Sequence, residues 1–149
     1  ANDVKVDITI TEVLCFPLQE RPIHRTYDGF DDLPAGPTLK VYAIEEIVVE
    51  KLLALSDRAR NEPRDLYDLW HLFGSADMRI AEMRGELDTK LALRQRVIAG
   101  VEQAIAAKED RLRRLWTSRL AHQMSHLPPF DDVFREVMRT VRAADLPHS

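Results

Sequence analysis

Residues 44–70, IEEIVVEKLLALSDRARNEPRDLYDLW, read as two amphipathic helices joined by a tight turn. The spacing predicts a first helix over 44 to about 58 and a second over about 62–73, with Asn61 as its N-cap, Pro63 tolerated in the first turn and Gly74 as the stop. At 100° per residue, Ile44, Ile47, Val48 and Leu55 share one narrow apolar sector of the first helix, and Lys51 and Arg58 fall inside it. An ammonium left unpaired in such surroundings is costly, so Lys51 needs a carboxylate, a phosphate or a route to water. In one reading the lysine stem packs and its head pairs with Asp65 or Asp68 as a structural ion pair. In the other, Lys51 and Arg58, seven residues and two turns apart, face an anion that spans two phosphates. On the second helix Arg64, Asp65, Asp68 and His71 form a polar stripe, and Leu66, Leu69, Trp70 and Phe73 take the packed side.

Working outward, residues 4–10 (VKVDITI) put Val4, Val6, Ile8 and Ile10 on one face and Lys5, Asp7 and Thr9 on the other, the alternation of a half-buried strand. Residues 16–37 carry Pro17, Pro22, Gly29, Pro34, Gly36 and Pro37 and read as loop, with a short extended piece at 23–26. A second strand is expected over 38–43. Two strands this short do not make a sheet of ordinary size without further strands. Downstream, apolar residues at three-to-four spacing predict helices near 87–107, 110–124 and 131–143, with a break at Pro128-Pro129. The fold class expected is therefore α+β: residues 1–43 as the end of a sheet, and 44–149 as a helical part continuous with it in one compact unit.

The 149 residues suit one domain, and 45% hydrophobic with 31% charged residues favours a folded core over disorder. A formal charge of −4 removes the bulk attraction of a general nucleic-acid or acidic-membrane binder, so a phosphate partner must be held locally. No apolar stretch is long enough to span a membrane, and the lone Cys15 makes no internal disulfide. A cytoplasmic setting is expected.

The segment KLLALSDRARNEPRDLYDLW resembles the KLxALxxR…RDxxDL signature of the AbiEii/AbiGii-type nucleotidyltransferase toxins, within the polymerase β-like nucleotidyltransferase superfamily. VYAIEEIVVEK looks like that family's strand-then-helix lead-in, and VKVDITI resembles its strand bearing a third carboxylate. The specific resemblance covers roughly residues 4–73. It implies transfer of a nucleotide from a nucleoside triphosphate to an acceptor, with RNA as the expected acceptor class. It assigns nucleotide phosphates to Lys51, with Arg58 as a second contact. The catalytic or acceptor-side carboxylate falls to Asp65 or Asp68, and Asp65 follows Arg64 as in the family's RD pair. Asp7 is assigned to magnesium, a hard cation suited to carboxylate and phosphate oxygens. A cognate antitoxin is the implied partner.

The family's opening motif, Gly-Gly or Gly-Ser followed by Asp-x-Asp, should precede VKVDITI, where only three residues stand. Gly74-Ser75 and Glu86-Leu87-Asp88 lie in the wrong order to replace it. The chain is therefore expected to correspond to the C-terminal part of such an enzyme, inactive alone, and an unpaired sheet edge predicts a homo-oligomer. A rival function is a non-catalytic helical module that binds an antitoxin or dimerises. Three weaker signals take structural readings: His122 and His126 as surface residues, Arg111, Arg113, Arg114 and Arg119 around Trp116 as a solvated face, and Cys15 as a small core residue.

Overall fold

The computed structural model describes residues 6, 8–10, 12–24, 36–75, 79–94 and 100–144. Two strands, β1 (Gln19–Pro22) and β2 (Thr38–Val41), pair antiparallel with Gln19 opposite Val41 and Pro22 opposite Thr38. Ile23 N–H extends the ladder by donating to Pro37 O at 3.0 Å. Among the described residues six helices follow: α1 (Ile44–Ser56), α2 (Pro63–Ser75), α3 (Arg84–Leu93) after a 3₁₀ turn (Ile80–Met83), α4 (Val101–Ala106), α5 (Glu109–Leu120) and α6 (Phe130–Ala143). This is the expected α+β class.

The strands are placed differently from the sequence reading. Val6, Ile8 and Ile10 are not in a strand and stand 72%, 83% and 92% exposed. Alternation alone does not hold a strand; it needs a neighbour to complete its backbone hydrogen bonds, and the described residues offer none here. Among the described residues the paired segment is Gln19–Pro22, where β2 supplies those bonds, and the extended piece expected at 23–26 lies partly outside the described residues.

α1 occupies the centre, packed on α2, α3 and α4, while α2 reaches across to α5 and α6. Val48, Val49, Leu52, Leu53 and Leu55 are each at most 2% exposed. Burial of that order stabilises by about 1.5–3 kcal/mol per side chain. The buried arc therefore runs from Leu55 and Val48 through Leu52 and Val49 to Leu53 and Glu46, about half the helix circumference. Ile44 and Ile47 lie beyond it, respectively exposed and half-buried, so the narrow sector inferred from sequence was rotated relative to the core. Lys51 sits at the border of the arc, where a stem can pack while its head reaches water.

α2 buries Leu66 and Leu69 completely, and Tyr67, Trp70, Leu72 and Phe73 pack against the same core. α6 closes the far side with Phe130, Val133, Phe134, Val137, Met138 and Val141, a stripe at helical spacing. Trp116 of α5 is buried, edge-on to Phe130, with its indole N–H donating to Pro128 O at 2.9 Å. Arg113 pairs with Glu109 and Asp131 over the Phe130 ring, and Arg111, Arg114 and Arg119 are exposed on the solvated face of α5. His122 and His126 are exposed beyond the end of α5.

Candidate functional site

The end of α1 sets up the site. Ser56 Oγ donates to Leu52 O at 2.7 Å, and Asp57 leaves the helix with extended backbone. Asp57 Oδ1 then accepts the Ala59 N–H at 3.0 Å, and its carbonyl accepts the Arg60 N–H at 3.1 Å. A side chain that bonds the backbone two residues on offers an alternative to the helix ladder and turns the chain. Pro63 then opens α2 at the first helical position, where its lack of an N–H costs nothing. Asn61 does not cap α2: its side-chain amide points back and donates to Ala59 O at 3.3 Å. Gly74 lies inside α2, which runs one residue further.

This turn brings five charged residues together. Lys51 Nζ donates to Asp65 Oδ1 at 2.9 Å and forms an ion pair with Asp68 Oδ2 at 2.6 Å. Arg60 forks the same aspartate, with Nε 2.6 Å from Asp65 Oδ2 and Nη2 3.2 Å from Asp65 Oδ1. Arg64 approaches Asp68 Oδ2 at 3.9 Å. Asp65 is 1% exposed, whereas Lys51 and Asp68 are 24% and 27% exposed. The cluster is thus closed on the Asp65 side and open to solvent on the Lys51–Asp68 side.

Burial alone would raise the Asp65 carboxyl, but hydrogen bonds from Arg60 and Lys51 outweigh it and hold the group below the ordinary aspartate range. Burial likewise works against the Lys51 ammonium, and hydrogen bonds to Asp68 and Asp65 prevail, raising its pKa. Both groups are therefore firmly ionised at neutral pH.

Of the residues singled out from sequence, the structure joins Lys51, Asp65 and Asp68. It does not join Arg58, which lies past the end of α1 with an exposed side chain making no hydrogen bond or ion pair among the described residues. The inference by helical rotation fails there because α1 ends at Ser56. Asp7 lies outside the described residues. Among the described residues no group of three His, Cys, Asp or Glu side chains is placed to hold a metal, and both Asp65 oxygens already receive cations. Asp65 and Asp68 are thus engaged by Lys51, Arg60 and Arg64.

Several contacts had no local sequence signal. Arg60, and not Arg58, stands beside Asp65. Lys108, just before α5 and 6% exposed, reaches back to donate to Leu55 O at 2.5 Å, to Arg60 O at 2.7 Å and to Asp57 O. Its three N–H groups match three carbonyls at the end of α1 and in the turn, which suits a cation at the negative end of a helix dipole. Burial lowers its pKa from the usual lysine value. On the opposite flank of α1, buried Glu46 pairs with buried Lys90 and accepts the backbone N–H groups of Cys15 and Phe16, each at 3.0 Å. Lys90 also pairs with Glu50, which Arg94 holds at 2.6 Å. Cys15 is thus half-buried at a clamp rather than part of the core.

His71, one turn beyond Asp68, lines a separate cleft of about 310 Å³ between α2 and α6, along with Trp70, Phe73 and Arg139. No described helix is long and apolar enough to cross a membrane.

No curated protein and no solved structure matches the chain significantly. The family model described as nucleotidyl transferase AbiEii toxin, type IV toxin–antitoxin system, matches residues 1–136. That match extends well past residue 73, where the sequence resemblance ended, and takes in the helices that buttress the Lys51 cluster. The chain belongs to the AbiEii nucleotidyl transferase toxin family.

Proposed function

We propose that Lys51 receives the phosphates of a nucleoside triphosphate, that Asp68 faces the acceptor, and that Asp65 is a positioning residue holding Lys51 and Arg60 in place. The observation that carries this reading is the graded exposure of one ion cluster: Asp65 is sealed and fully engaged, while Lys51 and Asp68 meet solvent. Two of the three Lys51 N–H groups have carboxylate partners, and the third, with no partner among the described residues, can meet an incoming oxygen. Phosphate oxygens arriving there would meet a charged donor whose position is already fixed. Asp68, partly exposed beside Lys51, is suited to accept a proton from an acceptor hydroxyl, with RNA as the acceptor class. The reading places the protein in the cytoplasm, as the toxin of a pair with a cognate antitoxin. Magnesium belongs to the family expectation through Asp7, and no step is assigned to it.

Isothermal titration of the four nucleoside triphosphates, with and without magnesium, into the chain and its Lys51→Ala variant tests this. Binding of at least one triphosphate that Lys51→Ala abolishes is expected. Absence of binding at millimolar ligand would favour the second reading, a non-catalytic module that docks an antitoxin. That reading draws on the exposed apolar side chains Val6, Ile8, Ile10 and Leu39.

A further inference from the structure

Two cations of the cluster converge on a single oxygen atom. Lys51 Nζ and Arg60 Nη2 stand 2.9 Å and 3.2 Å from Asp65 Oδ1, which holds two like charges within a few ångströms of each other. Arg64 Nε adds a third cation 3.9 Å from Asp68 Oδ2, while Asp57 and Glu62 offset part of the charge on Arg60. Cations held this close to one another gain from an added anion.

Arg60 is fixed at both ends. Its guanidinium forks Asp65, its N–H donates to Asp57 O at 3.1 Å, and its carbonyl accepts from Lys108 Nζ at 2.7 Å. Its side chain is nonetheless 53% exposed, and Nη1 has no partner among the described residues. A donor already immobilised loses little further freedom when it binds. Arg58, two residues earlier, has no comparable anchor.

The geometry points to Arg60 as the second phosphate-binding residue of this site, with Lys108 as its positioning residue, and to a polyphosphate chain as the feature recognised. Neighbouring phosphoryl groups of one chain present oxygens close enough together to meet Lys51 and Arg60 at once. A single phosphate engages them less fully. This inference rests on the reading of Lys51 as a phosphate contact.

Calorimetric titration of inorganic tripolyphosphate and orthophosphate into the full 149-residue chain tests it, with circular dichroism to confirm that each variant is folded. Tripolyphosphate is expected to bind more tightly than orthophosphate. Arg60→Gln should weaken tripolyphosphate about tenfold or more, the scale of one charge-assisted hydrogen bond, and Arg60→Lys should restore only part of the loss because a point charge does not fork. A folded Lys108→Met variant should show a similar weakening. Arg58→Gln tests the competing assignment. If Arg60→Gln binds like the parent, or Arg58→Gln reproduces the loss, the assignment is overturned while Lys51 stands. If the parent binds no tripolyphosphate, the Lys51 reading fails and this inference fails with it.

Discussion

Lys51 Nζ bridges two aspartates one helical turn apart, 2.9 Å from Asp65 Oδ1 and 2.6 Å from Asp68 Oδ2, yet only Asp65 is sealed from solvent. Substituting the two carboxylates should therefore have unequal effects. Asp65→Asn removes the buried counter-charge of both Lys51 and Arg60, and because both cations can turn toward water the loss is discounted to about 2 kcal/mol. Asp68→Asn should cost less than about 1 kcal/mol. Urea unfolding of the two variants measures the difference; equal losses would contradict the division between a positioning and an exposed carboxylate.

The same carboxylate predicts an acid limb of stability. Folding lowers the Asp65 pKa, so its contribution is fully present above the unfolded aspartate value of about 4 and is lost as pH falls through the lower folded value. Glu50 acts in the same sense: burial opposes its charge, but hydrogen bonds from Lys90 and Arg94 prevail and lower its pKa. Unfolding free energy measured downward from pH 6 should drop below about pH 4, and the drop should be shallower in Asp65→Asn.

Lys108 donates to three carbonyls from a buried position. Lys108→Met leaves those acceptors without their donor and should cost about 2–3 kcal/mol. Hydrogen exchange should quicken at Arg60, whose N–H bonds within the same turn. Unchanged exchange there would show that the turn is held by Asp57 alone.

Glu46 and Lys90 form a buried pair that also clamps Cys15 and Phe16 to α1. Truncating one partner leaves a buried charge, so Glu46→Ala should cost about 3–5 kcal/mol. Glu46→Ala combined with Lys90→Met should recover part of that loss in a double-mutant cycle. Simple addition of the two single losses would mean that the pair is not coupled.

Much of the helical part was legible because its apolar residues recur at helical spacing. The Lys51–Asp65–Asp68 cluster was legible because a cation near an apolar face demands a partner and the turn is short. Other features were not. Arg58 and Arg60 are distinguished by where α1 stops, and that depends on the Asp57 side chain capturing the Ala59 N–H, which helical rotation ignores. Lys108 and Lys90 act on elements 48 to 53 and 40 to 44 residues away, beyond any local period. The alternation over residues 4–10 records a preference for strand, and pairing depends on a neighbour that the pattern does not supply.

Amide chemical shifts recorded while ATP is added to the isotope-labelled chain test most directly whether the Lys51 cluster is an anion site. The predicted result is a set of shifts confined to the end of α1, the 57–62 turn and the first turns of α2, absent in Lys51→Ala. Shifts that are missing at saturating ATP, that persist in Lys51→Ala, or that concentrate along the α2–α6 cleft would contradict it.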